Sequence, residues 1–185
     1  MTEANRKSLS KFMSLILRHD PAAAGVTLDR NGWADVDELL AGMNSTGGST
    51  VTLEDIQEVV ANNDKQRFTF NDDFTKIRAN QGHSVQVDVE LKETRPPVVL
   101  YHGTSSKFVQ LILDEGLKPQ GRLYVHLSAN IETATKVGGR RGSPVVLVIN
   151  TEKMHDDGFK FYLSENGVWL TDYVPADCLH IYRID

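Results

Sequence analysis

The groups with the greatest chemical potential in this sequence are cations and amides gathered into short runs. Arg18 and His19 stand together at the end of an apolar-periodic segment, just before Asp20-Pro21. Arg78-Ala79-Asn80-Gln81-Gly82-His83-Ser84 collects a guanidinium, two amides, a glycine, an imidazole and a hydroxyl in one stretch. Tyr101-His102-Gly103-Thr104-Ser105 and His126-Leu127-Ser128 each place a histidine where an apolar run ends. Val137-Gly138-Gly139-Arg140-Arg141-Gly142 carries two guanidiniums in a glycine-rich segment. Guanidinium forks and close backbone approach are what an oxyanion or a sugar-phosphate requires. Each run also has a plain reading: Arg18 and His19 as cations favoured by a helix C-terminus, the stretches 78–84 and 137–142 as solvated loops. No serine or cysteine triad accompanies them. The six histidines are scattered and Cys178 is the single cysteine, so neither a metal site nor an internal disulfide is expected. Such an inventory suits a reaction whose nucleophile is already an anion, in which positioning and charge neutralisation outweigh proton abstraction.

The elements that must position these groups fall into two halves. With 185 residues, 40% hydrophobic and 24% charged, the chain has the composition of a globular protein with one good core or two small ones. No apolar run reaches the roughly 18 residues of a membrane span, and the polar stretch Met1 to Lys11 does not read as a signal peptide. The expected compartment is the cytoplasm and the expected state a monomer. In the first half, apolar spacing predicts helices over Ser8–Leu17, from Asp35 through Met43, and over Thr52–Asn62, with a loop from Asn44 to Thr50. Two short strands, 67–70 and 75–78, follow around Asn71-Asp72-Asp73. Three helices and a hairpin are the winged-helix order. The stretch 85–97 reads as an extended linker. The second half alternates strands near 98–101, 124–127, 145–149, 167–171 and 178–181 with helices over 108–115 and 131–137. The expected organisation is therefore 1–84, linker 85–97 and 98–185. The net charge of −5 is the wrong sign for a protein that coats nucleic acid, so any RNA contact must come from a local arginine cluster.

In this order and spacing, the motifs resemble the NAD⁺-dependent RNA 2′-phosphotransferases of the KptA type along nearly the whole chain. The resemblance is carried by Leu17-Arg18-His19, Leu28-Asp29-Arg30-Asn31-Gly32-Trp33, Ile77-Arg78 through His83-Ser84, Leu100-Tyr101-His102-Gly103-Thr104, Val125-His126-Leu127-Ser128, Val137-Gly138-Gly139-Arg140 and Glu165-Asn166-Gly167-Val168-Trp169. It implies an α+β protein: an N-terminal winged-helix RNA lobe, then an ADP-ribosyltransferase-like lobe around a mixed or antiparallel sheet. It implies a catalytic tetrad on Arg18, His19, Arg78 and Arg140, although Arg141 stands where the family often has histidine and leaves the choice between the two arginines open. His102, Gly103, Thr104, His126 and Ser128 would line the pocket for NAD⁺, consumed as co-substrate without a metal. Asn80, Gln81, His83, Ser84 and Arg141 would meet RNA carrying a 2′-phosphate. The implied chemistry has two steps. The 2′-phosphate displaces nicotinamide to give 2′-phospho-ADP-ribosylated RNA; the ribose 2″-hydroxyl then releases RNA with a free 2′-hydroxyl and ADP-ribose 1″,2″-cyclic phosphate. Two other readings stand beside it: an ADP-ribosyltransferase that caps phosphorylated nucleic-acid ends and stops after the first step, and a non-enzymatic winged-helix regulator.

Overall fold

The computed structural model describes residues 1–46 and 48–183. Helix α1, Glu3–Arg18, starts well before the apolar periodicity does, because a polar cap holds its first turn: the Thr2 hydroxyl accepts from Asn5 N at 3.2 Å. Leu9, Met13, Ile16 and Leu17 share its buried face. Asp20-Pro21 ends it, and Pro21–Ala24 forms one 3-10 turn capped by the Asp20 side chain. A two-residue strand β1, Ala34–Asp35, leads into helix α2, Val36–Ser45, whose first turn Asp35 caps through Glu38 N. Thr52 and Asp55 form a reciprocal capping box on helix α3, Leu53–Ala61. Gly47, within the expected 44–50 loop, lies outside the described residues. Strands β2, Phe68–Phe70, and β3, Lys76–Ala79, make the expected hairpin, and β1 adds to the other side of β3 to give the antiparallel order β1-β3-β2. Met13, Ile16, Leu17, Leu39, Ile56 and Ile77 are fully buried at its centre, and α1 packs against β3.

The chain divides into two compact units, Met1–Glu90 and Leu91–Asp185. The stretch expected as an extended linker is shared between them. Ser84 N and Val85 N donate to Arg18 O, and Asp88 N donates to Arg30 O, so its first part belongs to the first unit. Lys92–Glu93 is strand β4 of the second unit.

That second unit continues with β5, Val99–Ser105, a 3-10 turn at Ser106–Phe108, α4, Val109–Glu115, β6, Val125–Leu127, and α5, Ile131–Gly138. After a 3-10 turn at Gly139–Arg141 come β7, Pro144–Asn150, α6, Thr151–Asp156, β8, Tyr162–Leu163, β9, Trp169–Thr171, and β10, Leu179–Ile181. The strands form two sheets, β10-β7-β5 and β4-β8-β9-β6, tied by a bridge between Tyr101 and Ser128. Every strand pair among the described residues is antiparallel, so the protein is α+β with six α-helices and antiparallel sheets. Leu100, Leu127, Leu147, Ile149, Met154 and Phe161 form the second core. Cys178 is buried among them, and burial pushes its thiol pKa up, which leaves it a packing group rather than a nucleophile.

Strand β5 runs longer than its apolar residues suggest. Its pairing with β7 extends from Val99↔Asn150 to Ser105↔Pro144, which carries His102, Gly103 and Thr104 inside the strand rather than beyond its end. At Gly103 the backbones of β5 and α5 touch. A Cβ there would stand 1.7 Å from Ala134 O and 2.8 Å from Gly138 N. The opening expected for a ligand at this glycine is taken by the protein's own helix. Gly103→Ala must push two backbones apart, and a loss of at least about 1–3 kcal/mol is expected. Urea unfolding tests this, and an unchanged midpoint would show that α5 does not need the contact.

Candidate functional site

In the first unit, the end of α1 and the segment from β3 onward bring Arg18, His19, Arg78, His83 and Ser84 together. Arg18 is the last residue of α1 and is only 9% exposed. Its guanidinium carbon lies 5.9 Å from the Phe68 ring centroid. Gly82, at φ +88°, swings the chain back over it: a Cβ at that position would sit 3.5 Å from Arg18 Nη1. This return allows Ser84 N to donate to Arg18 O at 2.9 Å, while the Ser84 hydroxyl lies 2.9 Å from His19 Nδ1. His19 itself is exposed.

Arg78, on β3, is 7% exposed and stacks on Trp33, with its guanidinium carbon 4.4 Å from the ring centroid. Stacking covers the flat face and leaves the N–H edge as the working side. Nη1 on that edge donates to Glu90 Oε2 at 3.1 Å. His83 is buried, its Nε2 lies 3.5 Å from where a Cβ on Gly32 would stand, and that nitrogen has no hydrogen-bond partner. Its pKa falls from 6.5 to about 4, first through burial and then through the positive charges of Arg18, His19 and Arg78. The imidazole is therefore neutral at physiological pH. Asn80 is equally enclosed, and its Nδ2 donates to Gln66 O at 2.7 Å. Asn80 and His83, expected as RNA contacts, are both buried. Gln81 and Ser84 are the accessible members of that run.

In the second unit, β5 and β6 place the two strand histidines side by side. His102 Nδ1 lies 2.9 Å from His126 O, and a carbonyl can only accept, so Nδ1 carries the proton and Nε2 is an acceptor. Burial lowers the His102 pKa and keeps the ring neutral. His126 Nδ1 likewise donates to Tyr124 O at 3.0 Å. Thr104 and Ser105 are buried, and Ser105 Oγ has no partner. Ser128 is held by paired backbone hydrogen bonds to Tyr101. Arg140 and Arg141 sit on the 3-10 turn that continues α5 rather than on an open loop, and both are exposed. Arg122, which no sequence pattern marked, belongs with them. Although accessible by area, its guanidinium pKa is lowered, first by desolvation and then by the charges of Arg140 and Arg141. A neutral imidazole with a lone pair on Nε2 suits a ribose hydroxyl, and neighbouring guanidiniums suit a diphosphate, so the residues present fit a dinucleotide.

Sequence reasoning also missed Trp33 and Glu90 as partners of Arg78; both pairings are long-range and leave no local signal. Among the described residues no group of His, Cys, Asp and Glu is arranged to hold a metal ion, and no helix is long and apolar enough to cross a membrane.

Comparison with known proteins gives a consistent picture. The family described as RNA 2′-phosphotransferase, Tpt1 / KptA family, matches residues 4–173. A probable RNA 2′-phosphotransferase of Flavobacterium johnsoniae is 55% identical over 175 residues, which cover 95% of this chain and 96% of the relative. One of Rhodopirellula baltica is 55% identical over 173 residues, covering 93% and 94%. One of Burkholderia pseudomallei is 54% identical over 167 residues, covering 90% of each.

The neutral His83 gives the fold a defined acid sensitivity. Its folded pKa, about 4, lies below the ordinary 6.5, so the unfolded chain takes up a proton first as pH falls. Stability is expected to decline between those two values by up to about 3 kcal/mol. In His83→Asn that part of the decline should vanish. Urea midpoints from pH 7 to pH 4 test it, and parallel curves for the two proteins would show that His83 titrates alike in the folded and unfolded chain.

Proposed function

We propose, from the premise that the chain belongs to the Tpt1 / KptA family of RNA 2′-phosphotransferases, that it removes an internal RNA 2′-phosphate using NAD⁺ as acceptor. The first unit would act as a winged-helix RNA lobe, a reading supported by its order of three helices and a β-hairpin with a third strand. The second would be the ADP-ribosyltransferase-like lobe, supported by its two antiparallel sheets and by the paired histidines on β5 and β6. The observation that carries the proposal is the set Arg18, His19 and Arg78, two largely buried guanidiniums and an accessible imidazole, which is built to hold an anion rather than to abstract a proton.

NAD⁺ supplies an anomeric carbon with nicotinamide as leaving group. The protein's own part is to present the RNA 2′-phosphate to that carbon, with Arg18, His19 and Arg78 as the clamp. The oxygen of the phosphate forms the new glycosidic bond as the nicotinamide bond breaks. In the second step the ribose 2″-hydroxyl attacks phosphorus and the RNA 2′-oxygen departs. Arg78 and Arg140 neutralise the charge developing on the phosphoryl group, and His19, when protonated, delivers a proton to the leaving oxygen. His102, Thr104, His126 and Ser128 would receive the dinucleotide, with His102 Nε2 accepting from a ribose hydroxyl. Gln81, Ser84 and Arg141 would contact the RNA strand. The same clamp would also serve an ADP-ribosyltransferase that caps phosphorylated ends, for which the product would keep its ADP-ribose.

The deciding experiment incubates the protein with NAD⁺ and an oligonucleotide bearing one internal 2′-phosphate, followed by mass analysis. Loss of the phosphate with release of nicotinamide and ADP-ribose 1″,2″-cyclic phosphate is expected. RNA that retains ADP-ribose as its end point would favour the capping reaction, and no nicotinamide release would reject both. In that assay Arg140→Ala is expected to abolish dephosphorylated product and Arg141→Ala to reduce it only severalfold; the reverse ranking would move the catalytic role to Arg141. His102→Ala should raise the NAD⁺ concentration needed for half-maximal rate more than the RNA concentration. Separate titration of the two substrates tests it, and the opposite ranking would remove His102 from the NAD⁺ site.

A further inference from the structure

His19 is the cap residue at the end of α1, its backbone N donating to Leu15 O at 3.0 Å. That bond fixes the main chain but not the rotation of an exposed imidazole about its side-chain bonds. Ser84 supplies a restraint on the ring itself. Its hydroxyl oxygen lies 2.9 Å from His19 Nδ1, and its own proton is directed to Arg18 O at 3.5 Å. The main chain puts the hydroxyl there. Ser84 N and Val85 N both donate to Arg18 O, at 2.9 and 3.3 Å. The last carbonyls of a helix lack partners within it, and this one belongs to the residue directly before His19. The left-handed turn at Gly82, φ +88°, brings the chain back to that carbonyl. One capping contact thus delivers Ser84 Oγ to the Nδ1 edge of a ring 65 positions away in the sequence.

We propose that Ser84 is a positioning residue for His19: it engages Nδ1 and so makes Nε2 the nitrogen that hands a proton to the departing RNA 2′-oxygen. This rests on the functional reading above and refines the RNA contact given to Ser84 there. Protonated imidazole has two N–H donors, and a hydroxyl oxygen can accept from one of them. With the Nδ1 proton bound to Ser84 Oγ, the deliverable proton is the one on Nε2. Catalytic acids and bases are commonly oriented in this way by a third group. In the second step the ribose 2″-oxygen bonds to phosphorus as the bond from phosphorus to the RNA 2′-oxygen breaks. His19 Nε2 gives its proton to that 2′-oxygen, the 2″-hydroxyl proton passes to water, and water returns a proton to His19. General acid catalysis contributes roughly 10²–10⁴-fold, so a ring left to rotate should lose about tenfold of it.

The test is a single-turnover reaction of the full chain with NAD⁺ and an oligonucleotide bearing one internal 2′-phosphate. Nicotinamide release reads the first step and appearance of 2′-hydroxyl RNA the second. Ser84→Ala keeps the backbone N–H that caps α1. It is expected to slow the second step about tenfold and the first by less, so that ADP-ribosylated RNA accumulates. Ser84→Thr, which keeps the hydroxyl, should recover most of the rate. The decisive arm places sulfur at the bridging 2′-position, because a thiolate departs without a proton. On that substrate Ser84→Ala and wild type should complete the second step at the same rate. An equal slowing on both substrates would show that Ser84 touches RNA or merely supports the fold, and would overturn the proposal. So would an unaltered second step on the oxygen substrate, or a Ser84→Thr protein as slow as Ser84→Ala. In each of these cases nicotinamide release by the wild type leaves the functional reading standing. Its absence would remove both.

Discussion

Holding positive charge away from water is the constraint around which the first unit is arranged. Arg18 and Arg78 are each less than a tenth exposed, and taking a cation out of water costs several kcal/mol unless other groups replace its hydration. Guanidinium tolerates this better than ammonium because its flat face can rest on an aromatic ring. Trp33 provides such a ring for Arg78. The neighbouring groups follow from the same requirement. His83 stays neutral, first because it is buried and then because of the positive charges of Arg18, His19 and Arg78. Gly82 takes a left-handed backbone so that the chain can close over the Arg18 guanidinium and tie Ser84 N to the last carbonyl of α1. A solvated loop would need none of these arrangements.

The second unit solves a different problem. Arg140 and Arg141 are exposed and need no standing compensation; what requires control is the orientation and charge of its histidines. Backbone carbonyls do this work. A carbonyl facing Nδ1 permits one tautomer of His102, and burial removes the protonated alternative. Because the carbonyl belongs to His126 on the neighbouring strand, the spacing of β5 and β6 sets the ring's orientation directly. The contact of β5 with α5 through Gly103 and Gly138 has a comparable effect, since it fixes the axis of the helix whose end carries Arg140 and Arg141.

Local signals account for what the sequence disclosed. Caps, helical spacing and the Asn71-Asp72-Asp73 turn are short-range, and α1, α2, α3, β2 and β3 were legible from them. Strands β1, β4 and β8 were not, because two residues are too few to display a period and their partners lie far along the chain. The same distinction runs through the site. Arg18, His19, Arg78, His102 and His126 stood out as unusual residues in short motifs. Their environments did not: the stacking of Arg78 on Trp33 and its ion pair with Glu90 join residues distant in sequence. The Arg78–Ser84 run read as one phosphate-binding stretch, yet Arg78, Asn80 and His83 are buried while Ser84 is exposed. Arg122 left no trace at all, since its significance lies in the charges beside it.

A net charge of −5 sets the conditions under which such a site can select RNA. A basic protein gains affinity from every phosphate it passes, releasing counterions in proportion, and so binds any strand strongly and with steep salt dependence. An acidic chain gains little at long range, and its affinity must arise where a few oriented cations meet one group. Burying those cations sharpens the preference, because a desolvated guanidinium rewards an anion that enters its hydrogen-bonding edge far more than one held at a distance. Low overall attraction and a strong local grip together favour recognition of a single phosphoryl group over recognition of nucleotide sequence.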